Sequence, residues 1–460
     1  MDTIKNTSWL FLLSVLVFCC IMCSKLHLTS AADAISLGDS LTGDQTIISK
    51  DGNFELGFFK PGKSQNHYIG IWYKKVSLQT VVWVANRDAP ILDPSSWKFT
   101  LSGGNGNLVL LNSLSRTPIW STHLDSNTLN TPEVVLGDDG NLVLRDGSNP
   151  SVVIWQSFDY PTDTLLPGAK LGFSKITNQI QQLTSWRSRE DPAKGPYNWL
   201  LGPNRTSQLV IYWNKSEEIW KSGEWNEKSK TFSFLPEMRL NYEFKFNVIS
   251  NINESYFSYS LNDKSMIARF VMDISGQIKE FTWLESKHEW IALYVQPKRL
   301  CDVYSICGPF GNCNQDTWKC ECLPGFVPRS LTDWNLQDST GGCTRKTLLQ
   351  CENKDGFLSI TASKLPDMPR FPPIYGAKDC KSACESSCGC IAYAFVNNGC
   401  RYWGEDLINF NQFKPSGGPA ILNLKLAATD IPSTPSISSS PTPASTAQGK
   451  SYLRSSRQSS

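Results

Sequence analysis

Every cysteine beyond Cys23 lies between Cys301 and Cys400. Of the 15 in the chain, Cys19, Cys20 and Cys23 belong to an apolar run from Trp9 to Cys23 that follows Lys5. The other 12 form an even set, as disulfides require, and they confine cross-linking to the last part of the protein. The stretch from Asp33 to Leu300 has none, so an ordinary apolar core must hold it. The chain therefore divides near residue 297 into regions stabilised by different means.

The apolar run falls short of the ~20 residues of a bilayer span, and Ser30-Ala31-Ala32 offers small residues for a peptidase. Residues 1–32 are expected to be a signal peptide, with a membrane anchor as the alternative. A secretory route supplies the oxidising compartment that disulfides need. No later run is as apolar, so a soluble, secreted, extracellular protein of the apoplast with no integral membrane segment is expected. A net charge of +2 gives no reason to expect a nucleic-acid partner. From residue 428 to residue 460 the chain is rich in Ser, Thr and Pro, which reads as a disordered tail or glycosylated stalk.

Residues 33–150 carry short β-type runs such as "YIGIWY" (68–73) and "TVVWVAN" (80–86) between Gly, Asn and Asp. Three hairpin-like strings recur: "KDGNFELGF" from Lys50, "GNGNLVLLN" from Gly104 and "LGDDGNLVLRD" from Leu136. A threefold repeat whose units each supply one face to a shared core points to a β-prism rather than a simple sandwich. The β character continues through 151–296, as in "YEFKFNV" (242–248) and "SYFSYSL" (255–261). That region holds the acceptor sequons at Asn204, Asn214 and Asn253, which a secreted route exposes to glycosylation.

The strings "WQSFDYPTDTLLPGAKLG" (155–172), "LTSWRSREDPAKGPYNW" (183–199) and "EIWKSGEWN" (218–226) resemble the S-locus glycoprotein domain of plants. With the preceding β domain, similar to bulb-type lectins, they resemble the extracellular region of S-domain (G-type lectin) receptor-like kinases and their secreted relatives. The resemblance implies a mainly β chain: two tandem lectin-like β-prisms, an EGF-like module over 297–344 and a PAN/apple domain over 351–427 with one helix on a sheet. It implies the pairs Cys301–Cys313, Cys307–Cys320 and Cys322–Cys343, then Cys380–Cys400, Cys384–Cys390 and Cys351–Cys388. Spacing alone leaves many connectivities open. The acidic pattern of a calcium-binding EGF module is missing, so neither calcium nor any other metal or cofactor is expected. Zinc on the Cys-x-Cys and Cys-x3-Cys clusters is the competing chemistry. Cys380, Cys384 and Cys388 would share one helix face, with Asp379 as N-cap and Gly389 as the stop.

In sugar-binding members of the lectin family each site resembles Gln-x-Asp-x-Asn-x-Val-x-Tyr, whose alternate side chains share one strand face. The best match here is Gly137, Asp139, Asn141, Val143 and Arg145. The second repeat reads Gly103, Asn105, Asn107, Val109 and Leu111, and the first reads Ser49, Asp51, Asn53, Glu55 and Gly57. If an intact site binds a monosaccharide at about 1 mM, losing two hydrogen bonds of ~1 kcal/mol each leaves an affinity on the order of tens of mM. The repeat thus reads as a hairpin remnant, with Asp139, Asn141, Val143 and Arg145 as a degenerate candidate for carbohydrate.

Two enzymatic readings find little support. "GDSL" (38–41) resembles the nucleophile motif of a hydrolase class, but no histidine follows an aspartate at the required spacing; His288 has Glu285 there instead. No Gly-rich loop, catalytic Asp loop or magnesium-binding triplet of a kinase is present. The resemblance implies recognition of an extracellular protein or small cysteine-rich peptide, with homodimers or heterodimers among S-domain receptor kinases. A soluble mannose-type lectin is the alternative.

Overall fold

The computed structural model describes residues 33–124, 131–202, 207–314, 317–351, 355–412 and 420–432. The expected signal peptide, the sequon at Asn204 and residues 433–460 of the expected tail lie outside them.

Three four-stranded antiparallel sheets build the first prism. The short strands Ala34–Ser36, Ser40–Leu41 and Thr46–Ile48 each join a different sheet. Three meanders complete those sheets in reverse order, at 132–156, 97–121 and 54–84. Alternation decides which side chains turn inward: Leu142 and Leu144 are buried while Val143 and Arg145 face outward. Ile71, Leu110 and Leu144 occupy matching positions, each paired with a tryptophan, Trp83, Trp120 and Trp155, immediately before a β-bulge. The three indoles meet edge to face at 5.9–6.0 Å.

The second prism repeats this nesting. Thr164–Leu165, Leu171–Ser174 and Leu183–Ser188 join meanders at 268–296, 244–261 and 191–221. Two sheets keep the bulge and its preceding pair, as Ile211 with Trp220 and Glu280 with Tyr294. The middle sheet does not. Its meander has only Phe244–Ser250 and Glu254–Leu261, paired without a bulge.

The prisms are joined through buried groups. Leu166 and Trp283 of the second sit in the apolar core of the first. Arg87, 6% exposed, donates from Nε to Pro192 O at 2.7 Å and from Nη2 to Thr184 O and Ser185 O at 3.1 and 3.0 Å. Three backbone acceptors of the second prism are thereby satisfied by one side chain of the first.

The disulfide-rich region has no core to itself. Cys301, Val303, Ile306, Cys307 and Cys313 belong to the second prism's cluster, whereas Leu323, Phe326 and Cys343 belong to the cluster of the last domain. That last domain is a five-stranded sheet with the Ala377–Glu385 helix beside it. Buried Lys425 reaches from the sheet to the helix C-terminus, where Nζ donates to Cys384 O, Glu385 O and Ser387 O at 3.1–3.2 Å. An ammonium there satisfies orphan carbonyls and complements the helix dipole.

Two details of the helix differ from the sequence reading. Its N-cap is Gly376, without a side-chain cap, rather than Asp379. It ends at Glu385, so Cys388 lies beyond it and not on its face; the lysine cap and the Cys384–Cys390 bridge stop it a turn early. The chain continues past residue 427 through the 3-10 turn Ala428–Asp430, and Ile431 packs on the domain core.

Candidate carbohydrate-binding repeat

The hairpin at 136–146 is closed by Gly137 N donating to Asn141 O at 2.8 Å and Gly140 N to Gly137 O at 3.0 Å. Gly140 has φ +84°, and a Cβ there would strike Leu166 and the ring of Phe54. Glycine is required on both counts. Asp139 turns back on the turn, its Oδ1 accepting from Asn141 N at 3.0 Å.

Asn141 is 7% exposed, and its amide is engaged internally. Nδ2 donates to Gln156 Oε1 at 2.9 Å, while Oδ1 accepts from Ser157 Oγ and Phe158 N, each at 3.1 Å. Gln156 continues to Asp159 Oδ2, whose other oxygen accepts from Gln181 Nε2 of the second prism at 3.0 Å. Asn107 does the same work in its repeat: Oδ1 accepts from Thr122 Oγ1 and Leu124 N, both at 2.7 Å, and Nδ2 donates to Leu124 O at 3.3 Å. In the first repeat, Asn53 Nδ2 donates to Asp138 O at 3.1 Å, while Asp51 N donates to Asp138 Oδ1 at 2.8 Å. The first and third turns are therefore tied together.

Val143 and Arg145 remain on the outer face. Arg145 Nε and Nη2 both lie 3.1 Å from Glu133 Oε2 across the sheet, so two of its donors are already engaged. Val143 and Arg145 thus lie on the strand Leu142–Asp146, Asp139 and Asn141 in the turn before it, and three of the four are held by internal partners. The companions of Asn141 and Asn107 escape a reading confined to the hairpin. Their signal is Trp-x-Ser/Thr: Thr122 and Ser157 Oγ atoms accept from Leu108 N and Leu142 N at 3.2 and 2.9 Å, and Ser222 Oγ accepts from Leu209 N at 2.8 Å in the second prism.

The six bridges join Cys301 to Cys313, Cys307 to Cys320, Cys322 to Cys343, Cys351 to Cys388, Cys380 to Cys400 and Cys384 to Cys390. Among the described residues, no cluster of three His, Cys, Asp or Glu side chains could hold a metal ion. Asn214 and Asn253 are exposed in turns between strands. Ser40 of "GDSL" pairs with Thr100 in the first prism, while His288 lies in a turn of the second against Trp283. No helix among the described residues is long and apolar enough to cross a membrane.

Comparison with known families accounts for this architecture. Residues 80–187 match the D-mannose binding lectin domain, 220–330 the S-locus glycoprotein domain and 351–410 the PAN-like domain, none of them catalytic. The chain belongs with the S-locus-glycoprotein-like group that includes the S-domain, or G-type lectin, receptor-like kinases. A G-type lectin S-receptor-like serine/threonine-protein kinase of Arabidopsis thaliana is 46% identical over 89% of this chain and 50% of its own length. The receptor-like serine/threonine-protein kinase SD1-8 of the same plant is 39% identical over 87% of this chain and 48% of its own. The chain spans about half the length of the curated relatives it matches, the ectodomain-like part. The mannose-specific bulb lectin of Scilla campanulata aligns at 19% identity, covering 39% of this chain and 91% of that one, with a TM-score of 0.13, too low to carry an argument.

Proposed function

We propose that the chain is a secreted extracellular recognition module that binds a protein or peptide through its surface and has no enzymatic activity of its own. The observation that carries this reading is three exposed apolar side chains within one short segment of the PAN-like domain: Met368, Phe371 and Tyr375 are 68, 70 and 80% exposed. Large apolar and aromatic groups grouped in the open are the composition of a protein interface core. Arg401 stacks 5.6 Å over Phe371, adding the arginine that such interfaces favour. The partner in this reading is a cysteine-rich peptide or a second S-domain receptor, the latter in a homodimer or heterodimer.

The test is capture from plant apoplast fluid on the immobilised protein, read by mass spectrometry, beside a Phe371→Ala, Tyr375→Ala double variant. Loss of one specific protein partner in the variant supports the proposal. Equal capture by both removes the surface from consideration. The second reading, a mannoside lectin, is favoured by the retention of Asp139, Asn141 and Val143; selective binding on a glycan array would promote it.

A further inference from the structure

Glu280 stands where the other bulged sheets carry Ile71, Leu110, Leu144 and Ile211, each the residue before the bulge and each facing an aromatic partner. It is 1% exposed. Asn241 Nδ2 lies 3.2 Å from both carboxylate oxygens, and no lysine or arginine pairs with them among the described residues. Burial pushes the Glu280 pKa up to about 7, against the opposing hydrogen bond from Asn241. A carboxylate in an apolar core without a cation costs more than the leucine or isoleucine of its counterparts, so fold stability gives no reason for it.

Beside Glu280 is a cavity of about 340 Å³, lined among others by Trp199, Trp220, Phe246, Phe270 and Tyr294. Phe246 and Phe257 on its wall belong to the middle sheet, the one whose meander is paired without a bulge. The cavity reaches the surface beside Leu240 and Leu293, which are 72 and 58% exposed. Two carboxylates and no basic side chain line it, and the second of them, Glu237, is already paired with Lys298 at 2.9 Å. Tyr294 Oη and Trp199 Nε1 are buried without hydrogen-bond partners.

We propose that this cavity binds a small organic amine, with its apolar body among the rings and its ammonium on Glu280. Aromatic faces attract a cation through their quadrupoles, and a desolvated carboxylate without a counter-ion strengthens the same preference. Tyr294 Oη supplies a further acceptor, and Trp199 Nε1 a donor to any hydroxyl the amine carries. A ligand carboxylate would place two like charges in a low-dielectric site. A simple alcohol would leave Glu280 unneutralised. This site is independent of the protein-binding surface on the PAN-like domain.

The experiment titrates the whole protein at about pH 8, where the carboxylate is ionised, with n-hexylamine, 1-hexanol and hexanoate, following binding by calorimetry. The amine is expected to bind at least about tenfold tighter than the alcohol, with no saturable hexanoate binding. Glu280→Gln keeps the shape and should erase the preference for the amine. Glu280→Leu restores the residue class of the equivalent positions, should remain folded by circular dichroism, and should lose amine binding. Equal affinity for hexanol, tighter binding of hexanoate, an unchanged preference in Glu280→Gln, or no saturable binding of the amine would each overturn the proposal.

Discussion

The two prisms are built on one plan and finished differently at the centre. In the first, all three sheets end in an aliphatic–tryptophan pair before a bulge, and the three indoles close on one another. In the second, one pair keeps that chemistry as Ile211 with Trp220, one exchanges it for Glu280 with Tyr294, and the third is missing along with its bulge. A shared backbone plan therefore does not dictate a shared interior. Hydrogen-bonded sheets set where a side chain points, whereas packing density follows from which residues occupy the inward positions.

The largest effect should come from the tryptophan cluster of the first prism. Trp83 is 5% exposed, packs on Trp120 and Trp155, and donates from Nε1 to Tyr160 O at 3.0 Å. Trp83→Ala should destabilise the first prism by about 4 kcal/mol, because a large cavity opens and a carbonyl loses its donor. Trp220→Ala, at a side chain only partly buried against the second core, should cost about 2 kcal/mol. Urea unfolding of both variants checks the contrast, and equal costs would mean that the deeper burial of Trp83 does not set its contribution.

Glu280 sharpens the comparison through pH. Its folded pKa of about 7 exceeds the ordinary 4.5, so between those values the folded state holds more protons than the unfolded one. The stability of the second prism should therefore fall as pH rises from about 4.5 to about 7, and the loss should be complete above that. Of the titratable groups around it, Tyr259 and Tyr294 stay neutral throughout because burial raises both, and Glu237 on the same cavity wall is held below its ordinary value, burial opposing and the bond to Lys298 lowering it. Glu280→Leu should flatten this slope and stabilise the protein by on the order of 3 kcal/mol at pH near 8, with much less gain near pH 4. Melting temperatures across that range decide it; a wild-type slope that persists in the variant would show that another group carries the pH dependence.

Arg87 tests whether the prisms unfold as one body. Arg87→Met keeps most of the side-chain volume and leaves the carbonyls of Thr184, Ser185 and Pro192 without their donor, at a cost of about 2 kcal/mol. Calorimetry should then resolve two melting transitions where the wild type shows a more cooperative one. A single transition, shifted as a whole, would mean that the remaining contacts, among them Leu166, Trp283 and the Tyr73–Ala268 hydrogen bond, are sufficient to couple them.

Much of the fold is visible in the sequence because its determinants are local. Asp-Gly-Asn followed by alternating Leu and Val marks a turn and a strand with one buried face, and a segregated cysteine set marks a region short of core. The content of the second prism is not visible in this way. In "SGQIKEFTW" an inward Glu280 and an outward Lys279 look alike as polar residues, and the bulge after Glu280 shifts the alternation that would tell them apart. Asn141 is legible as a polar hairpin residue but not as a clasp, since its partners Ser157 and Phe158 come from beyond the next strand. The division near residue 297 reflects how the chain is cross-linked, yet Val303 and Ile306 complete a core that begins before it.

The smallest expected effect concerns the sugar pattern of the first prism. With the amide of Asn141 held by Gln156, Ser157 and Phe158, mannose at about 10 mM should leave the melting temperature unchanged, because an affinity in the tens of mM contributes only ~0.1 to 0.3 kcal/mol. Restoring the family pattern is the sharper version. Gly137→Gln places a Cβ against Asp139 Oδ1, so that flexible carboxylate must swing off Asn141 N and toward the outer face. Arg145→Tyr gives up an ion pair with Glu133 that is about a quarter exposed on each side, worth at most about 1 kcal/mol. The double variant should therefore fold and gain a millimolar response to mannose that the parent lacks. If the parent itself binds mannosides below about 1 mM and loses that on Asp139→Ala while remaining folded, then the internal hydrogen bonds of Asn141 do not prevent sugar recognition, and the first prism has kept the site as well as the scaffold.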